Sequence, residues 1–177
     1  NQDRDAIAGA VEIHGLDHQI SNIEAGCGQT ALSTNFDMAT PLFTAGVWVD
    51  GTDHNVSMVS GEAADVGLYS TVNEGGFSLC YPNFVFAHGW VDKSGNGTQF
   101  TNNRVIDCGR DAANTYDAFY RLSGGGAINL DGFLAYAAGG TNAGRYVIND
   151  FTADSASDDI RSRYAGIRKV GSWTKTF

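Results

Sequence analysis

The sequence predicts an α+β protein in which one N-terminal helix packs on a Gly-rich antiparallel β-sheet or sandwich. Three observations predict it. The 23 glycines in 177 residues are dispersed without a period, which excludes collagen and points to many tight turns. Short β-branched and aromatic runs bounded by Gly, Asn, Asp and Ser fill the chain beyond Gly28, and a helix-spaced apolar stripe occupies the residues before it. With 42% hydrophobic residues the chain has enough apolar material for one core, so residues 1–177 are read as a single domain: a helix over 1–26 and a β-rich head over 28–177.

The helix is predicted over about residues 3 to 25. Asp3 and Asp5 place negative charge in its first turn, Ile13, Leu16, Ile20 and Ile23 recur at spacings of 3, 4 and 3, and Gly26 with Gly28 ends the pattern. Glu12, Asp17, Gln19 and Glu24 fall off this stripe, leaving a narrow packing face, and Ile7 lies nearer the start of the helix. Strand-like runs follow at 46–49, 56–59, 66–72, 77–81, 84–91, 104–107, 118–122, 132–136 and 145–151. No helical pattern of about 10 residues separates them, which favours antiparallel over parallel pairing. A short helix is expected over 155–163, with Ser157 as its cap, and a closing strand over 167–173. No internal repeat or linker is legible.

With 11 basic against 20 acidic residues the formal charge is −9, so the surface lacks the basic stripe that nucleic acid requires. No run of 18 apolar residues is present, and Asn1 to Asp5 do not form a signal peptide, so no membrane span is expected in this chain. Cys27, Cys80 and Cys108 contain no C-x-x-C pair, which argues against zinc. A Cys80–Cys108 disulfide would close a loop of 29 residues, a constraint of roughly 3.6 kcal/mol; the alternative is three buried thiols. The sequons at Asn55 and Asn96 fit a glycosylated surface, and together these features suggest an extracellular or cell-surface setting.

Candidate chemistry is sparse. His14 and His18, four apart on the expected helix, could share a transition metal, but no third ligand is evident and there is no H-E-x-x-H. No nucleophile elbow, phosphate loop or dinucleotide fingerprint occurs. Asp107, Asp117, Asp131 and Asp150 supply carboxylates for glycoside hydrolysis without selecting a pair. The loop Asp92-Lys93-Ser94-Gly95-Asn96-Gly97 places Asp92, Ser94 and Asn96 at positions 1, 3 and 5 of an EF-hand-like loop with Gly at 6, yet its position 12 is Asn103. Calcium is the one cofactor this loop admits, and a hydrated turn is the plainer reading. Trp48, Trp90, Tyr69, Tyr81 and the other aromatics could stack on sugars, although most must fill the core.

The stretch His88-Gly89-Trp90-Val91-Asp92-Lys93-Ser94-Gly95-Asn96-Gly97 resembles the G-W-x-x-x-x-D-x-N-x-N-G segment of minor pilins and pseudopilins of type IV pilus and type II secretion systems. Downstream, 132–136 and 144–148 follow the strand, glycine and strand order of those proteins. The resemblance implies a β-rich head on an assembly helix, with Ile7, Ile13, Leu16, Ile20 and Ile23 as contacts to other copies or related filament subunits. The expected function is therefore a non-enzymatic extracellular assembly or adhesion subunit, with surface glycans as a further partner. The alternatives are a secreted glycan-active hydrolase and the receptor-binding head of a phage or viral fibre.

Overall fold

The computed structural model describes residues 7–38, 40, 42–95, 97–110, 116, 118–122, 128–131, 134–136, 146–149, 168–169 and 173–176. Among these residues there is no helix, and every ladder between strands is parallel. The expected α+β fold with antiparallel strands is thus replaced by an all-β parallel solenoid.

The chain winds through three faces. Sheet A, seven-stranded, stacks β1 (Ile7–Leu16), β3 (Phe43–Thr52), β5 (Val66–Asn73), β7 (Trp90–Asp92), β10 (Phe119–Arg121), β13 (Tyr146–Asn149) and β15 (Trp173–Thr176). Sheet B, five-stranded, stacks β2 (Gln19–Gly26), β4 (Asn55–Glu62), β6 (Gly76–Ser78), β8 (Thr98–Thr101) and β11 (Ile128–Asp131). Sheet C holds β9 (Arg104–Ile106), β12 (Leu134–Tyr136) and β14 (Arg168–Lys169), and single parallel bridges through Asn83 extend it back to Glu62. Parallel neighbours need a long crossover. Here the strands and corners of the other two faces provide it, so the absence of intervening helices never argued for antiparallel pairing.

Corners are made by non-glycine residues in the left-handed region, which ordinarily favours Asn, Asp or Gly. They recur at equivalent register. Asp17, Asp53 and Glu74 (φ 57, 57 and 56°) turn the chain from sheet A to sheet B, with Gly97 (φ 83°) next in the row. Asn22, Met58, Leu79 and Asn102 (φ 58, 54, 56 and 53°) form a second row, and Ala63, Phe84 and Asp107 (φ 43, 55 and 53°) a third.

These corners explain the apparent helix. A strand buries every second residue, but a left-handed residue resets the parity. In β2 the bend at Asn22 puts both Ile20 and Ile23 toward the core, three apart, as a helix would. The predicted assembly stripe divides accordingly: Ile20 is buried, Ile13 and Ile23 are half-buried against the interior, and Leu16 is 66% exposed. Of Ile7 only its place in β1, paired with Phe43, is described. The segment 155–163 lies outside the described residues.

The interior is filled by columns of one residue per coil. In sheet A, Val11, Val47, Leu68, Trp90 and Phe119 stand in register. Sheet B contributes Ile20, Val56, Phe77 and Phe100, with the Phe77 and Phe100 rings stacked at 5.1 Å and Trp90 edge-on to both. The steps from Val47 to Leu68, Trp90 and Phe119 are 21, 22 and 29 residues, so the repeat is structural without a fixed period in the sequence. Glycine is required where the faces meet most closely: a Cβ on Gly61 would stand 1.8 Å from the Gly67 carbonyl oxygen.

The open face of sheet B as a candidate functional site

Four sheet B strands carry related triplets in which a buried apolar residue is followed by a hydroxyl and is preceded by an amide in three and by glycine in one: Gln19-Ile20-Ser21, Asn55-Val56-Ser57, Gly76-Phe77-Ser78 and Gln99-Phe100-Thr101. Because the central residue points inward, the flanking ones point out. Parallel register aligns Gln19, Asn55, Gly76 and Gln99 in one outer column, and Ser21, Ser57, Ser78 and Thr101 in the next. Together they line a groove of about 440 Å³ that contains no charged side chain. Met58 and Leu79, 41% and 54% exposed, occupy the corner immediately beside the hydroxyl column.

The outer face of sheet A is aromatic. Trp48, Tyr69, Val91 and Tyr120 stand in register there, and Phe43, Ala45 and Val66 join them in a second apolar cluster. The segment 27–42, inserted between β2 and β3, packs Phe36 and Met38 on it. Asp65, fully buried, fastens that segment: its carboxylate accepts the Ser33 and Thr44 backbone N–H groups at 2.8 and 2.9 Å and the Thr44 hydroxyl at 3.1 Å.

Beside this face lies a titratable cluster. His14 Nδ1 is 3.3 Å from Asp50 Oδ2 and its Nε2 is 3.3 Å from Glu12 Oε2. Asp50 also accepts the Thr71 hydroxyl at 2.6 Å, and Trp48 packs edge-on to the imidazole at 4.9 Å. The ring directs its two nitrogens to different carboxylates, and the described residues contain no group of three or more His, Cys, Asp or Glu suited to a metal. His18 does not bring its imidazole to that of His14; its Nε2 donates to the His14 carbonyl oxygen at 3.2 Å and its ring stacks on that of His54 at 5.0 Å. Buried His54 accepts the His18 backbone N–H at Nδ1, so its Nε2 carries the hydrogen donated to the Asp50 carbonyl.

The predicted calcium loop is built differently from an ion site. Asp92 and Ser94 are fully buried. Asp92 Oδ1 accepts the Ser70 hydroxyl at 2.5 Å and the Ser94 N–H at 3.1 Å; the Trp90 indole N–H donates to Ser70 Oγ at 2.9 Å, and Ser94 Oγ accepts the Val72 N–H. These oxygens are thus committed to an interior hydrogen-bond network. Asn96 lies outside the described residues.

The structure joins Cys80 and Cys108 by no disulfide, and both sit in the interior cluster. Burial pushes the Cys80 thiol up to about 11 and raises Cys27 as well. The oxidising-compartment argument loses that support. Of the sequons, Asn55 is exposed on β4 and lines the sheet B groove together with Ser57.

No protein-family model matches the chain, and no curated protein or solved structure is significantly similar to it.

Proposed function

We propose that the chain is a non-enzymatic extracellular module that acts by adhesion or assembly, engaging surface glycans or further copies through its sheet faces. The observation that carries this reading is the outer face of sheet B, where coil after coil repeats uncharged hydrogen-bonding side chains in register. Such a face is rigid and extended along the solenoid, a geometry suited to a long partner. The pilin-like form of the reading placed assembly contacts on a helix over residues 1–26; those contacts are reassigned to sheet surfaces, because β1 and β2 occupy that segment.

The test is to measure self-association of the purified chain by light scattering, its retention on immobilised cell-wall glycan, and its release of reducing ends from the same glycan. Retention or association without release is expected. Release with neither would favour the secreted glycan-active hydrolase, to which the Glu12, His14 and Asp50 cluster lends specific support because it sets carboxylates beside an imidazole on an outer face. In that case Glu12→Gln and Asp50→Asn would abolish the release.

A further inference from the structure

We infer that the sheet B groove is a binding site for a linear neutral glycan, a proposal that rests on the adhesion reading and specifies its ligand. The first argument is charge. The protein carries −9, yet the side chains lining the groove are amides, hydroxyls and apolar groups. An anionic polymer would find no cation there and would be repelled by the whole molecule; the exposed carboxylates of Asp17, Asp53 and Glu74 stand in the corner row outside this lining and Asp131 holds the register position beyond Thr101, so a cationic polymer would be drawn beside the groove rather than held by its lining.

Hydrogen-bonding capacity is the second argument. Ser and Thr hydroxyls both donate and accept, and Gln and Asn amides present a donor and an acceptor side by side, which matches the mixed valence of sugar hydroxyls. The columns repeat at the strand spacing of about 4.8 Å, close to the length of one pyranose ring, so successive coils can serve successive sugar units. A volume of about 440 Å³ falls within the range of small-molecule sites and spans four strands. The third argument is the apolar ridge. Sugar rings have apolar C–H faces, and the exposed Met58 and Leu79 lie in register along one side of the hydroxyl column, where a ring edge can cover them.

The sequon at Asn55 sharpens the assignment. Asn55 and Ser57 are both groove residues, so a glycan attached to Asn55 would fill the groove from within. Covalent glycosylation and capture of a separate chain are alternative uses of one surface.

The experiment is native affinity electrophoresis in gels containing hydroxyethylcellulose or galactomannan, with polygalacturonate and chitosan as charged counterparts. Retardation by at least one neutral polymer is expected, while any retardation by chitosan should respond equally to the two charge changes that follow. Ser57→Arg should weaken it about tenfold or more by filling the groove and burying a charge. Thr34→Arg, the same charge change on the exposed segment over sheet A, should leave it within about twofold. Circular dichroism and melting temperature confirm that both variants fold, and Gln99→Ala provides a milder second groove variant. Retardation by neutral polymers that survives both groove variants would overturn the groove assignment while leaving the adhesion reading intact. Retardation by a charged polymer that falls in Ser57→Arg but not in Thr34→Arg, or no retardation by any neutral polymer, would overturn the neutral-glycan ligand. Self-association lost in Ser57→Arg would also overturn it, making the groove a contact between copies and sparing the assembly reading.

Discussion

The outer faces of sheets A and B are made by the same device and have opposite fates. In each, parallel register turns one residue per coil into a continuous column. On sheet A the column contains Trp48 and Tyr69, and the chain covers it: Trp48 is 8% and Tyr69 5% exposed, in a cluster on which Phe36 and Met38 of the inserted segment pack and beside which His14 stands edge-on to Trp48. On sheet B the columns hold amides and hydroxyls and remain open as a groove. A solenoid therefore amplifies composition. One apolar residue outside a coil is tolerable, but a stacked column of them requires a cover, whereas a polar column can stay in water and meet a ligand.

Four experiments break or sharpen that contrast. The largest effect belongs to the interior beneath both faces. Trp90→Ala removes a fully buried ring that touches Phe77, Phe100 and Phe119 and supplies a hydrogen bond to Ser70, and should lower urea-unfolding stability by about 3–5 kcal/mol. A loss under about 1 kcal/mol would mean that the aromatic stack is not the core of the fold.

Releasing the cover from sheet A comes next. Asp65→Ala leaves the Ser33 and Thr44 N–H groups without their carboxylate and should cost about 1–3 kcal/mol. Limited proteolysis should then cut within 27–42 while β3 to β8 persist. Unchanged protection would show that the apolar contacts of Phe36 and Met38 hold the segment unaided.

A pH titration addresses the interior at the Cys80 thiol. Its folded value is raised from 9.0 to about 11, so the protonated form is favoured by folding. This contribution is fully present below the unfolded value, near 9, and is lost as pH rises through about 11. The melting temperature should fall over that window more in wild type than in Cys80→Ala. At pH 8 alkylation should reach Cys27, which is half-buried, well before the buried Cys80 and Cys108.

The smallest effect is expected on sheet B. Ser57→Ala removes an outward hydroxyl from the open column, and stability should stay within about 0.5 kcal/mol. A larger loss would indicate that the hydroxyl column is a structural ladder, and the contrast between the two faces would then rest on packing alone.

Several features were legible in the residues. The strand-like runs at 46–49, 56–59 and 66–72 fall inside β3, β4 and β5, because alternating β-branched and aromatic residues suit a pleated surface in any sheet. The triplets of sheet B were present in plain sequence as well. Their spacing is irregular, since coils differ in length and one carries the inserted segment 27–42, so no fixed period announced them.

What the sequence determined by itself was local: strand propensity, the many turns, the acidic surface and the supply of apolar residues for a core. Tertiary structure decided the direction of pairing, because a parallel strand with one open face, as in sheet B, alternates in the same way as an antiparallel one and the two differ in where the chain returns. It decided the fate of residues 7–26, where a parity reset at Asn22 imitates helical spacing. It also decided the roles of Asp92 and Ser57. Asp92 was committed to the interior by Ser70, 22 residues earlier, and Ser57 gained its column from Ser21 and Ser78. Neither neighbour is near in the chain, and only stacking of the coils brings them within contact.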